Sequence, residues 1–245
     1  MKVGIYSPYF STIGGGERYV LTVAEYFQNQ GHQVDIFSGK SFNRDIAKRY
    51  FDLNLNKTNF VEDKFIGKTT LEKLLISKTY NLIFFLSDGS IPSSLATKNI
   101  LHFQTPFLYN DQKTLINKLK LTRFQHVVCN SLFTKRYIDK TYGVNSLVLY
   151  PPVDVSKFSA DKNKKNYIIS IGRFSDPTNP GQHSKKQSLL INMFKKLVDG
   201  GIDDWKLILL GSASSNISNE VKTLEKEAQG CPIEIIVNSD FPTLR

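Results

Sequence analysis

"KVGIYSPYFSTIGGGERYVLTVAEYFQNQGHQVDIFS", residues 2–38, decides the fold class. "KVGIYS" (2–7) reads as a strand. Val20, Leu21, Val23, Ala24 and Phe27 then recur at helical spacing, and Gly31 suits a helix stop. "QVDIFS" (33–38) reads as a second strand. Strand, helix and strand in succession make the repeating unit of a parallel sheet.

The alternation continues outward from this unit. "NLIFFLSD" (81–88), "NILHFQ" (99–104), "HVVCNS" (126–131) and "SLVLY" (146–150) are further strand candidates. "LFTKRYIDKTYG" (132–143) is a helix candidate that ends on a glycine, with Asn130 and Ser131 placed to cap its start. This order predicts an open, doubly wound α/β sheet with helices on both faces. "YPPVDVSKFSADKNKKN" (150–166) breaks the pattern with two prolines and a basic, polar run, and reads as a linker. The pattern then restarts with strands at 167–174, 205–212 and 232–238 and helices at 185–201 and 216–230. The expected organisation is a first domain over 1–150, a linker over 151–165 and a second α/β domain over 166–245. With three strands where such sheets hold about five or six, the second domain is expected to be incomplete.

Composition narrows the function classes. Hydrophobic residues make up 40% and charged residues 22%, which suits a globular chain and excludes a disordered one. Cys129 and Cys231 offer neither a disulfide framework nor metal-ligand spacing. The longest apolar run, Leu82 to Leu86, is far shorter than the roughly 20 residues of a membrane span. No signal-peptide pattern opens the chain, so a cytoplasmic protein is expected, soluble or peripheral at the cytoplasmic membrane face. The net charge of +10 is concentrated early: residues 1–150 hold 19 Lys and Arg against 11 Asp and Glu. A basic field there favours an anionic partner. No reading helix or stacking motif accompanies it, so nucleic acid is not expected as the partner.

"GGGER" (14–18) fails two familiar nucleotide templates. The P-loop needs Lys-Ser/Thr after its last glycine, and Glu17-Arg18 stand there. The dinucleotide fingerprint needs a third glycine where Tyr19 stands. What remains is a glycine-rich backbone leading into a helix N-terminus, where free N–H groups and the helix dipole suit an anion. A tight strand-to-helix turn without a ligand is the plain alternative, and Glu17 then serves as an N-terminal helix acid.

"SIGRFSDPTNPGQHSKKQSLLINMF" (170–194) offers a second anion site. Arg173 follows the end of a strand, where open α/β sheets bind ligands. Lys185 and Lys186 stand at a predicted helix start, where cations oppose the helix dipole unless an anion lies between. A solvated basic loop is the alternative. Two such loops on facing domains would suit a diphosphate.

Four stretches in order carry a family likeness. They are "GGGERYV" (14–20), "LHFQTP" (101–106), "VVCNSLFTKRYIDKTYG" followed by "LVLYPPVD" (127–154), and "ISIGRF" with "HSKKQSLLINMFKKL" (169–197). In these the chain resembles family 4 glycosyltransferases, retaining enzymes of the GT-B architecture. The resemblance implies two Rossmann-like domains facing a cleft, an acceptor-side domain (1–150) and a partial donor-side domain (166–245). It implies transfer of a hexosyl group, with retention, from a nucleotide-diphosphate sugar to a glycan or lipid-linked acceptor. No metal and no cofactor are expected beyond the donor itself. Arg173 and Lys185 would contact the donor diphosphate, with Lys186 as the neighbouring alternative to Lys185. Gly15 and Gly16 would bring backbone N–H groups to the phosphate or acceptor, and His102 would sit at the reaction centre. A buried structural histidine is the alternative reading of His102.

The family's pair of glutamates on a second-domain helix is not found in residues 1–245, and the resemblance places it further on. The chain is therefore expected to be a fragment, inactive by itself. A non-catalytic homologue that binds a nucleotide or a partner glycosyltransferase is the competing expectation. Finally, "YNDQKTLINKLKLTRF" (109–124) combines Leu115, Ile116 and Leu119 with Lys113, Lys118, Lys120 and Arg123. It reads either as a contact for anionic membrane or as an ordinary surface helix packed by its leucines.

Overall fold

A computed structural model describes the chain except for residues 11–13, 39–43, 108–111, 161, 176–184, 203, 214–217 and 239–245. The chain divides into two compact units, Met1–Asp154 and Val155–Arg245.

The first unit runs β1 (Lys2–Tyr6), α1 (Gly15–Asn29), β2 (Gln33–Phe37), α2 (Arg44–Phe51), β3 (Thr58–Val61), α3 (Thr70–Ser77), β4 (Leu82–Leu86), β5 (Lys98–Phe103), α4 (Leu115–Leu121), β6 (His126–Cys129), α5 (Leu132–Tyr142) and β7 (Leu147–Val148). The strands form one sheet in the order β3-β2-β1-β4-β5-β6-β7, with every pairing parallel. β4 shows why its sequence is an unbroken apolar run. Leu82, Phe84 and Leu86 face a core built on α1 and α2 through Val20, Leu21, Ala24, Ala47 and Phe51. Ile83 and Phe85 face the opposite core, with Ile76 of α3, Leu121 of α4 and Ile138 and Tyr142 of α5. A strand buried on both faces has no polar side to alternate with.

The strand order reverses between β1 and β4, so the chain leaves these neighbours toward opposite edges of the sheet. That is where doubly wound sheets open a crevice at their carboxyl ends. α5 is closed as its sequence suggests: Ser131 Oγ accepts from Thr134 N at 3.1 Å, and Gly143 takes the left-handed φ of 68°.

The second unit holds a short 3-10 turn (Val155–Lys157), β8 (Tyr167–Ile171), α6 (Gln187–Asp199), β9 (Lys206–Gly211), α7 (Ser218–Ala228) and β10 (Ile233–Val237). Its three parallel strands lie in the order β10-β9-β8. Ile191 and Phe194 of α6 and Val221 and Leu224 of α7 cover Leu207 and Leu209 on one face.

Three boundaries differ from expectation. α6 starts at Gln187 and not at Lys185, because Lys186 adopts a left-handed backbone (φ 57°) that no helix can include. β7 keeps two residues of the expected five. α2, β3 and α3 fill residues 44–77, a stretch for which the sequence suggested no elements. Among the described residues no helix is long and apolar enough to cross a membrane.

Candidate active site

In the first unit the predicted residues gather at the carboxyl ends of β1 and β5. α1 begins at Gly15, and its cap residue Gly14 is extended, with no side-chain cap. Gly16 lies against the flexible end of Gln104. A Cβ there would lie 2.5 Å from Gln104 Oε1, and Gln104 Nε2 donates to Gly16 O at 3.3 Å. At Gly15 a Cβ would meet nothing within 4 Å, so this residue leaves open space over the helix start. Asn130 Nδ2 donates to Gln104 O at 2.8 Å and so ties the start of α5 to the exit of β5.

His102, the penultimate residue of β5, has no exposed surface. Its ring stacks on Tyr19 of α1, centroids 4.3 Å apart and planes 16° apart, and tilts against Phe84 at 5.4 Å. Neither ring nitrogen makes a hydrogen bond of good geometry, although the Val128 backbone comes close enough to interact with the ring. Burial pushes its pKa down to about 4, opposed only in part by the nearby Val128 backbone. The imidazole is therefore neutral at pH 7. As a neutral ring it has one donor and one acceptor nitrogen and brings no positive charge. Tyr19 holds the stack in place. Its hydroxyl donates to Leu149 O at 2.9 Å, and burial pushes the phenol up to about 12.

In the second unit Gly172, just past the end of β8, is followed by Arg173 and packed by the stem of Lys185. A Cβ on Gly172 would lie 2.9 Å from Lys185 Cγ, so the lysine stem crosses directly over the glycine. Both Arg173 and Lys185 are exposed. Gln187, the buried first residue of α6, braces the loop: its Nε2 donates to Arg173 O at 2.9 Å. The start of α6 has no side-chain cap and no acid in its first turn. Lys186, as its N-cap, carries backbone strain of about 1–2 kcal/mol. Arg173 and Lys185 thus both lie beside the start of α6, where cations and free backbone N–H groups suit an anion. Most of the intervening loop, residues 176–184, lies outside the described residues.

Several functional neighbours were not apparent in the sequence. Tyr19 and Gln104 act through contacts with residues more than 80 positions away, and no local pattern marks them. Gln187 is hidden inside an expected helix start.

Residues 13–157, more than half of the chain, match the model of Glycosyltransferase Family 4. The chain belongs to that family. Among relatives, the alpha-1,3/1,6-mannosyltransferase ALG2 of Eremothecium gossypii is 26% identical over a match covering 87% of this chain and 50% of the relative. The O-antigen chain mannosyltransferase RfbU of Salmonella typhimurium is 27% identical, over 56% of this chain and 39% of its own length. The chain spans half or less of the length of each of these relatives. Among solved structures, Anabaena Alr3699/HepE in complex with UDP and glucose superposes with a TM-score of 0.61 at 11% identity, covering 99% of this chain and 71% of that one. The catalytic domain of Arabidopsis thaliana starch synthase IV, bound to ADP and acarbose, gives 0.54 at 11% identity, over 99% and 74%. At such identities the likeness concerns the fold, which is that of the GT-B glycosyltransferases.

Proposed function

We propose that these residues belong to a retaining hexosyltransferase that uses a nucleotide-diphosphate sugar and a glycan or lipid-linked hydroxyl acceptor. The names of the relatives favour a mannosyl group. The observation that carries the proposal is the Lys185 stem lying across Gly172, next to Arg173, at a start of α6 without a side-chain cap on its N-cap residue. Solved neighbours that hold UDP or ADP on the same fold support it.

In the reaction the bond from the anomeric carbon to the diphosphate oxygen breaks, a bond to the acceptor oxygen forms with the same configuration, and the acceptor hydroxyl's proton passes to the departing diphosphate. Negative charge grows on the departing diphosphate. Arg173 and Lys185 stabilise it, aided by the N–H groups of α6, so no metal is invoked. His102, being neutral, serves the transferred sugar by hydrogen bonding and not by charge.

Titration calorimetry with UDP, ADP and GDP tests the phosphate grip. Arg173→Ala and Lys185→Ala are each expected to weaken the best binder roughly tenfold or more, the cost of losing a charge-assisted hydrogen bond. Lys186→Ala should have the smaller effect. In a sugar-transfer assay Arg173→Ala should lower turnover by roughly 10²–10³. Unchanged affinity in both the Arg173 and Lys185 variants would remove the basis of the proposal.

A further inference from the structure

His102 and Gln104 stand two positions apart at the exit of β5, and both reach α1. The His102 ring stacks on Tyr19, and Gln104 Nε2 donates to Gly16 O at 3.3 Å. Gly16 and Tyr19 are three positions apart on α1 and so share one face of it. The amide of Gln104 therefore meets α1 at its first turn, and the imidazole meets the same face one turn further on.

Gln104 is gripped at its other end as well. Its main-chain O accepts from Asn130 Nδ2 at 2.8 Å, and Asn130 Oδ1 accepts from Thr134 Oγ1 at 2.7 Å. Asn130 N also donates to Phe103 O at 3.2 Å. A chain of hydrogen bonds thus runs from the first turn of α5, through residue 104, to the first turn of α1.

The start of α1 benefits from such a hold. Its cap residue Gly14 makes no side-chain cap, and three successive glycines have no side chains with which to fix their own peptide planes. A helical carbonyl keeps a second lone pair, which lets Gly16 O take the bond from Gln104. The three atoms nearest a Cβ on Gly16 are Oε1, Cδ and Nε2 of Gln104, at 2.5, 3.5 and 3.9 Å. The amide thus lies over the bare Cα, in the place that a side chain at residue 16 would take.

We infer that Gln104 is a positioning residue: it sets the glycine turn against β5 and so holds the N–H groups of Gly15 and Gly16 in one fixed relation to His102. The inference rests on reading these residues as part of a substrate site, but the geometry it asserts is measurable without substrate.

Nuclear magnetic resonance of the whole unliganded chain is the first arm of the test. Gln104→Ala should move the amide signals of Gly15, Gly16 and Tyr19 and the ring signals of His102, with signals from α2 and β3 unchanged and the melting transition intact. Gly16→Ala should give the same pattern, because its Cβ evicts the amide, and the far end of a glutamine can swing away without backbone stress. The double variant Gly16→Ala, Gln104→Ala should be no worse than the worse single variant, since both changes break one contact. Gln104→Glu keeps the shape but cannot donate to Gly16 O as a carboxylate, and should resemble Gln104→Ala. Calorimetry with GDP-mannose and UDP-glucose is the second arm. Gln104→Ala should weaken the better binder roughly threefold to tenfold, and the double variant no further. If neither nucleotide sugar binds the unmodified chain, the proposed function loses its support while the resonance arm still decides the role of Gln104. Unmoved Gly15 and His102 signals in Gln104→Ala would overturn the inference. So would strictly additive effects of the two alanines, or changes spread over the whole first unit with a lost melting transition, which would mark Gln104 as structural only.

Discussion

Gly211→Ala is expected to destabilise the second unit by about 3 kcal/mol or more and to abolish nucleotide binding with it. Gly211 is the last residue of β9, and a Cβ there would lie 2.0 Å from Gly172 O, 2.9 Å from Gly172 C and 3.1 Å from Phe174 Cε2. The first two are backbone atoms, so no rotamer change relieves the clash. Moving the Gly172 carbonyl strains the bonds that extend the sheet on either side, Gly172 N to Leu210 O and Phe174 N to Ser212 O, both 2.9 Å. It also disturbs the peptide that carries Arg173 and is braced by Gln187. Phe174 is a fully buried part of the core under α6 and α7, so the damage reaches the packing as well. Hydrogen exchange should show lost protection in β8, β9 and β10, with the amides of β1, β4 and β5 unchanged. Gly172→Ala makes the contrast. The three atoms nearest its Cβ all belong to the Lys185 side chain, Cγ first at 2.9 Å. That variant should keep the fold and lose phosphate affinity, because the lysine stem must swing aside. Native protection of β8–β10 in Gly211→Ala would show that the two loops can part at little cost.

The two glycines illustrate what a sequence discloses. "SIGRF" and "LLGS" each announce a strand end. That the two ends press on each other follows only from the parallel pairing of β8 and β9. Long apolar runs were legible throughout: β1, β2, β4, β5 and β6 sit within a residue or two of their expected places, because burial on both faces leaves no ambiguity of period. Residues 44–77 were silent for a physical reason. α2 spans only eight residues, half of them charged, and β3 only four, too few to show a period. α3 did carry a signal. Thr69 and Glu72 stand at capping-box spacing, and in the structure both reciprocal bonds form. The misplaced start of α6 has a different origin, since a left-handed lysine leaves no trace in composition. In the site, Arg173, Lys185, His102 and the glycines were legible as residue types in strategic places. Their braces were not, because Tyr19, Gln104 and Gln187 act through tertiary contacts.

His102→Phe is expected to raise the stability of the first unit at neutral pH while removing any hydrogen bond to the sugar. The wild-type ring is wholly buried, stacked on Tyr19 and against Phe84, with no hydrogen bond of good geometry to either nitrogen beyond the close approach of the Val128 backbone. A phenyl ring keeps the stacking and removes the unsatisfied polar atoms, a gain of about 1–3 kcal/mol. The pH dependence follows from the same burial. The folded pKa is about 4 against 6.5 for an unburied histidine. Above pH 6.5 neither state binds the proton, and the folded state suffers no penalty. As the pH falls from 6.5 towards 4, the unfolded chain takes up a proton that the folded chain refuses, so stability is lost over that window. The loss from this one residue approaches about 3 kcal/mol at pH 4. Urea unfolding at pH 7 and pH 4 isolates the contribution, because carboxylates common to both proteins cancel in the comparison. The Phe variant should lose about 3 kcal/mol less on acidification than the wild type. If instead it is less stable at pH 7 and just as acid-sensitive, His102 is held by structural hydrogen bonds, and the buried-histidine reading replaces its role toward the sugar. A gain in stability together with a loss of transfer would mean that the fold tolerates His102 at a cost, for the sake of a ligand that completes its hydrogen bonding.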